Sequence, residues 1–600
     1  MSFIADRARG ASRRRASAAR PTQISTLVFE AKSAVFRLRR SLVELGRGPV
    51  RLARAAEAGE FCEPAAASRS ALWSDETLAE RAMQLGKVHN LRRAAARLDG
   101  LLLPAGAVFS FWRQVGKASG SRGFVRGRML REGCMVPATG GGLCQLSNAL
   151  YDAALQSGCR IVERHAHSRI VPGSAAAAGR DATVAWNYVD LRFAAPRDLR
   201  LSVRLERDVL EVSLSGRAGE GGTARPGFAV EAAGDSADAA RSCGSCDESA
   251  CFLHEGGART RPAPAGRTAF LVDEAWPEFI KFVSVQRKET DLLGLPLDGG
   301  RWRLARYRWP GAERGPVIEA PLAAVRRAWA WRRTPPQGAA RRLAEVESSR
   351  RIAQALAAKL GPDVTELVVA QSYLPFLWRN GDLGGRAFSV LMNRLPIAQL
   401  HARLDAAAAA HPERSTLADY RAPAWLAEAE AEALAAAARI VTPHVDIAAL
   451  FGDRAERLAW VAPSAPTCGR RGGGVIAFPG PTVARKGAYE VREAARRLGL
   501  TVRPMGSQLE GAAFWEGLSR APAPVDGGWL DGVAAVVQPA LVEDAPRRLL
   551  EALAAGVPVI ATAACGLGAQ PGLTIAPAGD PAALVAALAP FAPEAVLASA

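Results

Sequence analysis

The stretch QPALVEDAPRRLLEALAAGVPVIATAACGLG, residues 538–568, organises the C-terminal part of the chain. A strand is expected to end at Pro539, and a loop then carries Glu543. A helix follows, carries Glu551 and stops at Gly556, and the short apolar run VPVIAT at 557–562 reads as the next strand. Strand, helix and strand in such close succession indicate parallel α/β units. The two glutamates are eight positions apart, just over two helical turns, so both carboxylates are expected to face one crevice. In an open α/β sheet that crevice lies beyond the carboxyl ends of the strands. A helix beginning there points its amides at a phosphate, and carboxylates accept hydrogen bonds from sugar and ribose hydroxyls.

Upstream, FPGPTVARKGAYEVREAARRLG at 478–499 reads as strand, glycine, loop and helix. Together, the E-x7-E spacing, the EALAAGVPVIAT run and the ARKG segment resemble the C-terminal half of group-1 glycosyltransferases of the GT-B fold. The resemblance covers residues 266 to 600. It implies that Glu543 contacts a donor sugar, that Glu551 contacts the ribose, and that Lys486 neutralises the donor diphosphate. Gly480 would open the nucleotide-binding loop. That family places an arginine directly after this glycine; here Pro481 stands there, and Arg485 is the nearest replacement charge. Retention at the anomeric carbon and independence from metal are further implications, and no DxD motif stands out. His401, His411 and His444 are candidates for contacts near the reacting sugar, with a structural role as the alternative.

The remaining strands extend the same pattern. AFLV at 269–272, ELVVAQ at 366–371 and IVTPH at 440–444 are expected in one half. GVIAFPG, TVRPM, GVAAVVQPA and LTIAPAG are expected in the other, with CGRRGGG at 468–474 as a junction.

The N-terminal part reads differently. The motifs GGGLCQLSNALYDAAL, ERHAHS and GRDATVAW are distinctive together, and over about residues 85–195 the chain closely resembles the VanW family. That likeness implies an association with the bacterial envelope. The residues themselves allow a physical reading. Gly140–Gly142 permit tight packing or positive φ, and Cys144 then falls at a helix start, where the thiolate is favoured. His165 and His167 alternate with Ala166 on an expected strand and so would face one side. Asp181 and Asp190 come from later segments. Cysteine, then histidine, then aspartate is the order of papain-like and transglutaminase-like thiol enzymes, an analogy of arrangement. A buried structural cysteine and a non-catalytic binding cleft are the alternatives.

Between these parts, CGSCDESACFLH sets Cys243, Cys246, Cys251 and His254 in a C-x2-C-x4-C-x2-H array. Such an array suits structural zinc, with an iron–sulfur cluster or incidental thiols as competing readings.

The whole chain is expected to be α/β: an N-terminal VanW-like α+β domain followed by two Rossmann-like halves. The expected divisions are a basic arm and amphipathic helix at 1–70, the VanW-like domain at 71–215 and the Cys/His linker at 216–265. An acceptor half at 266–445 and a nucleotide-sugar half at 446–600 complete the chain. A hydrophobic fraction of 49% over 600 residues excludes wholesale disorder. The net charge is +18, and residues 1–60 supply 13 Lys/Arg against 5 Asp/Glu. With 6% aromatics and no nucleic-acid module, the charge does not indicate nucleic acid. Ile24, Leu27, Val28, Val35, Leu38, Leu42 and Leu45 recur at helical spacing among arginines, so the helix rests either on anionic lipid or on the next domain. No apolar run follows the basic N-terminus, so a cytoplasmic location is expected, with peripheral contact at the inner membrane face. The function expected is transfer of a sugar, of hexosyl type, from a nucleotide-sugar donor to an envelope glycan or lipid-linked acceptor. The alternative is a non-catalytic envelope adaptor with a degenerate glycosyltransferase half.

Overall fold

The computed structural model describes residues 23–46, 48–55, 58–73, 78–131, 134–167, 179–219, 229–230, 241–242, 266–304, 307–464, 474–522 and 528–593. Cys243, Cys246, Cys251 and His254 lie outside the described residues, as does the arm at 1–22. The chain divides into two compact units, one running to Gly266 and taking in Gly384–Arg386, the other holding the rest from Arg267.

The first unit runs α1 (Gln23–Val43), β1 (Glu63–Ala71), α2 (Leu78–Leu98), β2 (Leu102–Leu103), β3 (Val108–Ser110) and α3 (Phe111–Val115). Then come β4 (Arg126–Arg131), β5 (Cys134–Thr139), α4 (Leu143–Gln156), β6 (Arg160–Glu163) and β7 (Arg192–Ala194). It closes with β8 (Leu199–Leu205), β9 (Val209–Gly216), β10 (Ala229–Val230) and β11 (Arg241–Ser242). The main sheet has the order β10-β1-β9-β8-β2. Alternation decides which face is covered: Leu199, Leu201 and Val203 on β8 and Leu210, Val212 and Leu214 on β9 are buried. Helix α4 lies across β1 and β9 and buries Leu146, Leu150 and Ala153. Residues 63–70, expected to belong to the arm, are thus part of a strand of this sheet.

Helix α1 turns its polar side inward. Arg40 bonds Glu163 at 2.5 Å and Glu44 at 2.9 Å, Glu44 also pairs with Arg192, and Ser33 reaches Tyr188. Its apolar residues Ile24, Leu27, Val35, Leu38 and Leu42 are exposed, Leu38 by 63%.

The second unit opens with β12 (Arg267–Leu271), α5 (Pro277–Gln286), β13 (Leu292–Leu295), β14 (Val317–Glu319), α6 (Pro321–Arg333) and α7 (Ala339–Ala357). It continues with β15 (Val364–Ala370), α8 (Leu374–Arg379), β16 (Ala387–Leu391), α9 (Ile397–Ala410) and α10 (Ala424–Ala436). β17 (Arg439–Thr442), α11 (Val445–Phe451) and β18 (Ala455–Arg457) end the first half. The second half holds β19 (Val475–Phe478), α12 (Ala488–Leu498), β20 (Thr501–Pro504), β21 (Ala535–Gln538) and α13 (Arg547–Ala554). It ends with β22 (Val559–Ala561), β23 (Leu573–Ile575) and α14 (Pro581–Leu588).

Both sheets are wholly parallel, as continuous apolar strands such as AFL and AVV require. Their orders are β14-β13-β12-β15-β16-β17-β18 and β20-β19-β21-β22-β23. These are two Rossmann-like halves. Strand order reverses between β12 and β15 and between β19 and β21, which is where such sheets open a crevice for ligands. Because β18 still pairs with β17, the first half extends to Arg457 and not to 445. The halves are tied by Glu278 on α5, whose buried carboxylate accepts from Arg547 at 2.8 and 2.5 Å and from the Val461 amide at 2.7 Å.

Candidate functional site

A cavity of about 350 Å³ lies beyond the carboxyl ends of β19 and β21. Gly480 follows β19, Gln538 ends β21, and the turns after them bring in Arg485, Lys486, Glu543 and Asp544. Gly487 takes φ +83° where a Cβ would collide with Pro539, so the ARKG turn is held directly against the end of β21. That contact places Lys486 Nζ 2.9 Å from Glu543 and 3.0 Å from the Val542 carbonyl. Glu543 also accepts from Gln538 and, at 2.9 Å, from the Ala545 amide, which fixes its carboxylate at the cavity wall. The buried Arg485 donates to Gln337 at 2.6 Å and stacks on Tyr420, yet its Nη1 is buried with no hydrogen-bond partner among the described residues. Asp544 Oδ1 is likewise buried without a partner. Each such atom carries a desolvation cost. Five cations, Arg341, Arg485, Lys486, Arg547 and Arg548, line the cavity against Glu345, Glu543 and Asp544.

A second cavity, of about 200 Å³, opens at the β12/β15 reversal. It shares Glu345, Tyr420 and Asp544 with the first and is lined by Asp273, Glu274 and Glu430.

In the first unit, α4 starts at Leu143 with Gly142 as its cap residue, so Cys144 sits in the first turn. Gly142 has φ +97°, and a Cβ there would strike Lys87; at Gly141 it would strike the Gly127 backbone. His167 Nδ1 lies 2.7 Å from Asp181 Oδ2, and the His167 amide donates to the same oxygen at 2.6 Å. Arg164 holds the other oxygen of Asp181 at 2.5 Å. The 181–184 segment is pinned to α4: Ser147 donates to the Ala182 carbonyl at 2.6 Å, and Ala182 N donates to Asn148 at 2.8 Å. Cys144 Sγ lies 3.7 Å from Thr183 Oγ1 and 3.9 Å from the Val184 carbonyl, and His167 is close enough to shift its thiol.

Residues 86–215 match the family model of VanW like proteins. Over 143 residues the chain is 33% identical to the vancomycin B-type resistance protein VanW of Enterococcus faecalis, covering 23% of this chain and 51% of that protein. Over 119 residues it is 33% identical to the uncharacterized protein YoaR of Bacillus subtilis, covering 20% of this chain and 39% of that one. The chain thus spans about half, or less, of these relatives. Among solved structures, the apo form of the lipopolysaccharide outer core galactosyltransferase WaaB is 12% identical at a TM-score of 0.30, covering 55% of this chain and 91% of that one.

In the VanW-like domain the two histidines part company, although both were expected to face one side. Strand β6 ends at Glu163, after a register shift against β7, and Arg164 is drawn to Asp181. The alternation of a strand therefore does not reach 165–167. His165 is exposed and pairs with Glu163 at 3.2 Å, while His167 turns to Cys144 and Asp181. Asp190 is buried elsewhere, accepting from Ser110, the Trp112 amide and Arg192. Desolvation pushes the Cys144 thiol up, but hydrogen bonding and charge from His167, with the Val184 and Thr183 contacts, bring it below its ordinary value. The imidazole of His167 is raised, first by Cys144 and then by Asp181. Burial raises Cys159, and burial together with the Glu543 charge pushes Cys565 up to about 12.

Glu551 does not line the first cavity; it accepts from the Trp529 indole at 3.2 Å. Helix α13 begins only at Arg547, so half of the interval from Glu543 is loop and the two-turn arithmetic does not hold. None of the three histidines lines either cavity: His401 accepts from the Ala422 amide, His411 pairs with Glu413, and His444 binds the Asp544 carbonyl. Sequence reasoning missed Gln337, Tyr420, Gln538 and Asp544, which carry no motif of their own. Among the described residues no group of three or more His, Cys, Asp or Glu could hold a metal ion, and no helix is long and apolar enough to cross a membrane.

Proposed function

We propose that the second unit is a glycosyltransferase that moves a sugar from a nucleotide-sugar donor to an acceptor hydroxyl. The observation that carries the reading is the convergence of Lys486, Arg485 and Glu543 on one cavity at the β19/β21 reversal. In this reading the donor diphosphate lies against Lys486 and Arg485, which stabilise the charge that grows on it as the glycosidic bond breaks. Glu543 accepts hydrogen bonds from donor-sugar hydroxyls, and its contact with Gln538 keeps it oriented. The second cavity, adjoining through Asp544, takes the acceptor. Hexosyl transfer with retention at the anomeric carbon is the finer form of the proposal, supported by the family resemblance. The test is turnover of a panel of UDP-, GDP- and ADP-sugars by wild type and Glu543→Ala. Turnover of one donor by wild type, reduced at least about 100-fold in the variant, supports the reading. Turnover unchanged in the variant would remove Glu543 from the site.

An envelope glycan or lipid-linked sugar is the proposed acceptor, reached from the cytoplasmic face through α1. Docking of Ser33, Arg40 and Glu44 onto the VanW-like domain leaves Leu38 and Leu42 facing outward, which suits an interfacial helix. Co-sedimentation with anionic phosphatidylglycerol vesicles is expected to fall about tenfold or more in Leu38→Glu/Leu42→Glu. Equal sedimentation of the two proteins would exclude this surface.

A further inference from the structure

We propose that Cys144, His167 and Asp181 of the VanW-like domain form a thiol acyl-transfer site acting on an amide or ester carbonyl. This is a second chemistry, independent of the glycosyl transfer proposed above.

Three observations bring the residues together. The cysteine sits in the first turn of α4, where the helix amides favour an anion. The imidazole is oriented through Nδ1, which donates to the acceptor-only carboxylate of Asp181 and so leaves Nε2 for the thiol. The carboxylate is itself held by Arg164 and by the His167 amide, while the segment that carries it is bonded to Ser147 and Asn148 on α4. The nucleophile is therefore fixed by α4, the orienting group by the segment pinned to α4, and the base by its two bonds to Asp181. A purely structural cysteine would resemble Cys159, which is buried and raised; Cys144 is half-buried and shifted the other way. The exposed His165 is left out of the arrangement.

The chemistry balances without a cofactor. The thiol proton passes to His167, and the thiolate attacks the carbonyl carbon, forming the C–S bond and placing an electron pair on oxygen. Collapse of that tetrahedral species breaks the bond to the amine or alcohol, which leaves with the proton from His167. Water then attacks the thioester as His167 takes its proton. The acid departs, the thiolate returns, and Asp181 stabilises the imidazolium in both halves of the cycle.

The test uses the full chain. Alkylation by iodoacetamide is mapped by mass spectrometry across pH 5–9, with the exposed Cys62 as internal reference. Cys144 is expected to react about tenfold or more faster than Cys62 at pH 6.5. Its inflection should move upward in His167→Gln and, less, in Asp181→Asn. With p-nitrophenyl acetate, a nitrophenolate burst and an acetyl group on Cys144 are expected, both absent in Cys144→Ser. Matching melting temperatures separate these losses from misfolding. Identical pH profiles for Cys144 and Cys62, or a burst that survives in Cys144→Ser, would overturn the proposal.

Discussion

Replacing Lys486 by alanine is expected to weaken binding of the donor nucleotide about 100-fold. A charge-assisted hydrogen bond contributes about 1.5–3 kcal/mol, and each ~1.4 kcal/mol is a tenfold change in affinity. Two losses combine here. The diphosphate loses a cation, and Glu543 loses the ammonium 2.9 Å away while remaining largely buried at the cavity wall. An unpaired carboxylate beside an incoming diphosphate then repels it. Arg485→Ala is expected to act in the same direction, because Arg485 and the Tyr420 ring it stacks on both line this cavity. This arginine supplies charge in a loop where Pro481 offers none. Glu551→Gln, away from the cavity wall, is expected to change affinity much less. Titration calorimetry with UDP, GDP and ADP on the three variants separates these effects. Equal losses in all three would deny the cavity its selective role.

The largest stability effect is expected at Glu278. Its side chain is 0% exposed, and Arg547 is its cationic partner, braced between Trp276 and Trp460. Arg547→Ala leaves that carboxylate buried without a cation, which costs about 3–5 kcal/mol. At roughly 2–4 °C per kcal/mol for a unit of this size, the melting temperature should fall by about 10 °C. Burial pushes the Glu278 carboxyl up, but the Arg547 hydrogen bonds and the Val461 amide more than offset this and hold it below 4.5. A carboxyl lowered on folding contributes stability that is full above 4.5 and is lost as the pH falls through its folded value. In Arg547→Ala the cation no longer offsets burial and the carboxyl rises, so the gap between wild type and variant should begin to narrow above pH 4.5 and go on closing as the pH falls through the wild-type folded value. A gap that stays constant from pH 7 to pH 4 would show that the pair does not act through its charge.

Legibility in the sequence followed the locality of the signal. The strands AFLV, ELVVAQ and GVIAF and the helix at 547–554 were readable because each states its pattern within ten residues. Glu543 and Lys486 were readable because a strand end and a glycine turn fix them locally, and they meet across the β19/β21 reversal. Glu551 was misplaced because helical spacing was counted through residues that form a loop. His165 and His167 were treated as equals because nothing in ERHAHS shows that the strand stops at Glu163. Asp181 draws Arg164 and His167 toward it across more than a dozen residues, and that long-range bond decides which histidine meets Cys144. The half boundary shifted for a similar reason: β18 is three residues long and is recognisable only through its partner β17. Gln538 and Asp544 gain their roles from where the halves meet the turn after β21, which no local pattern encodes.

The central claim is that the cavity at the β19/β21 reversal holds the diphosphate of a nucleotide-sugar donor. Calorimetric titration of the full chain with UDP, GDP and ADP tests it most directly. The account predicts saturable, one-to-one binding of at least one of these nucleotides, weakened about 100-fold by Lys486→Ala. No binding of any of them to folded wild-type protein, or binding that Lys486→Ala leaves intact, would contradict it.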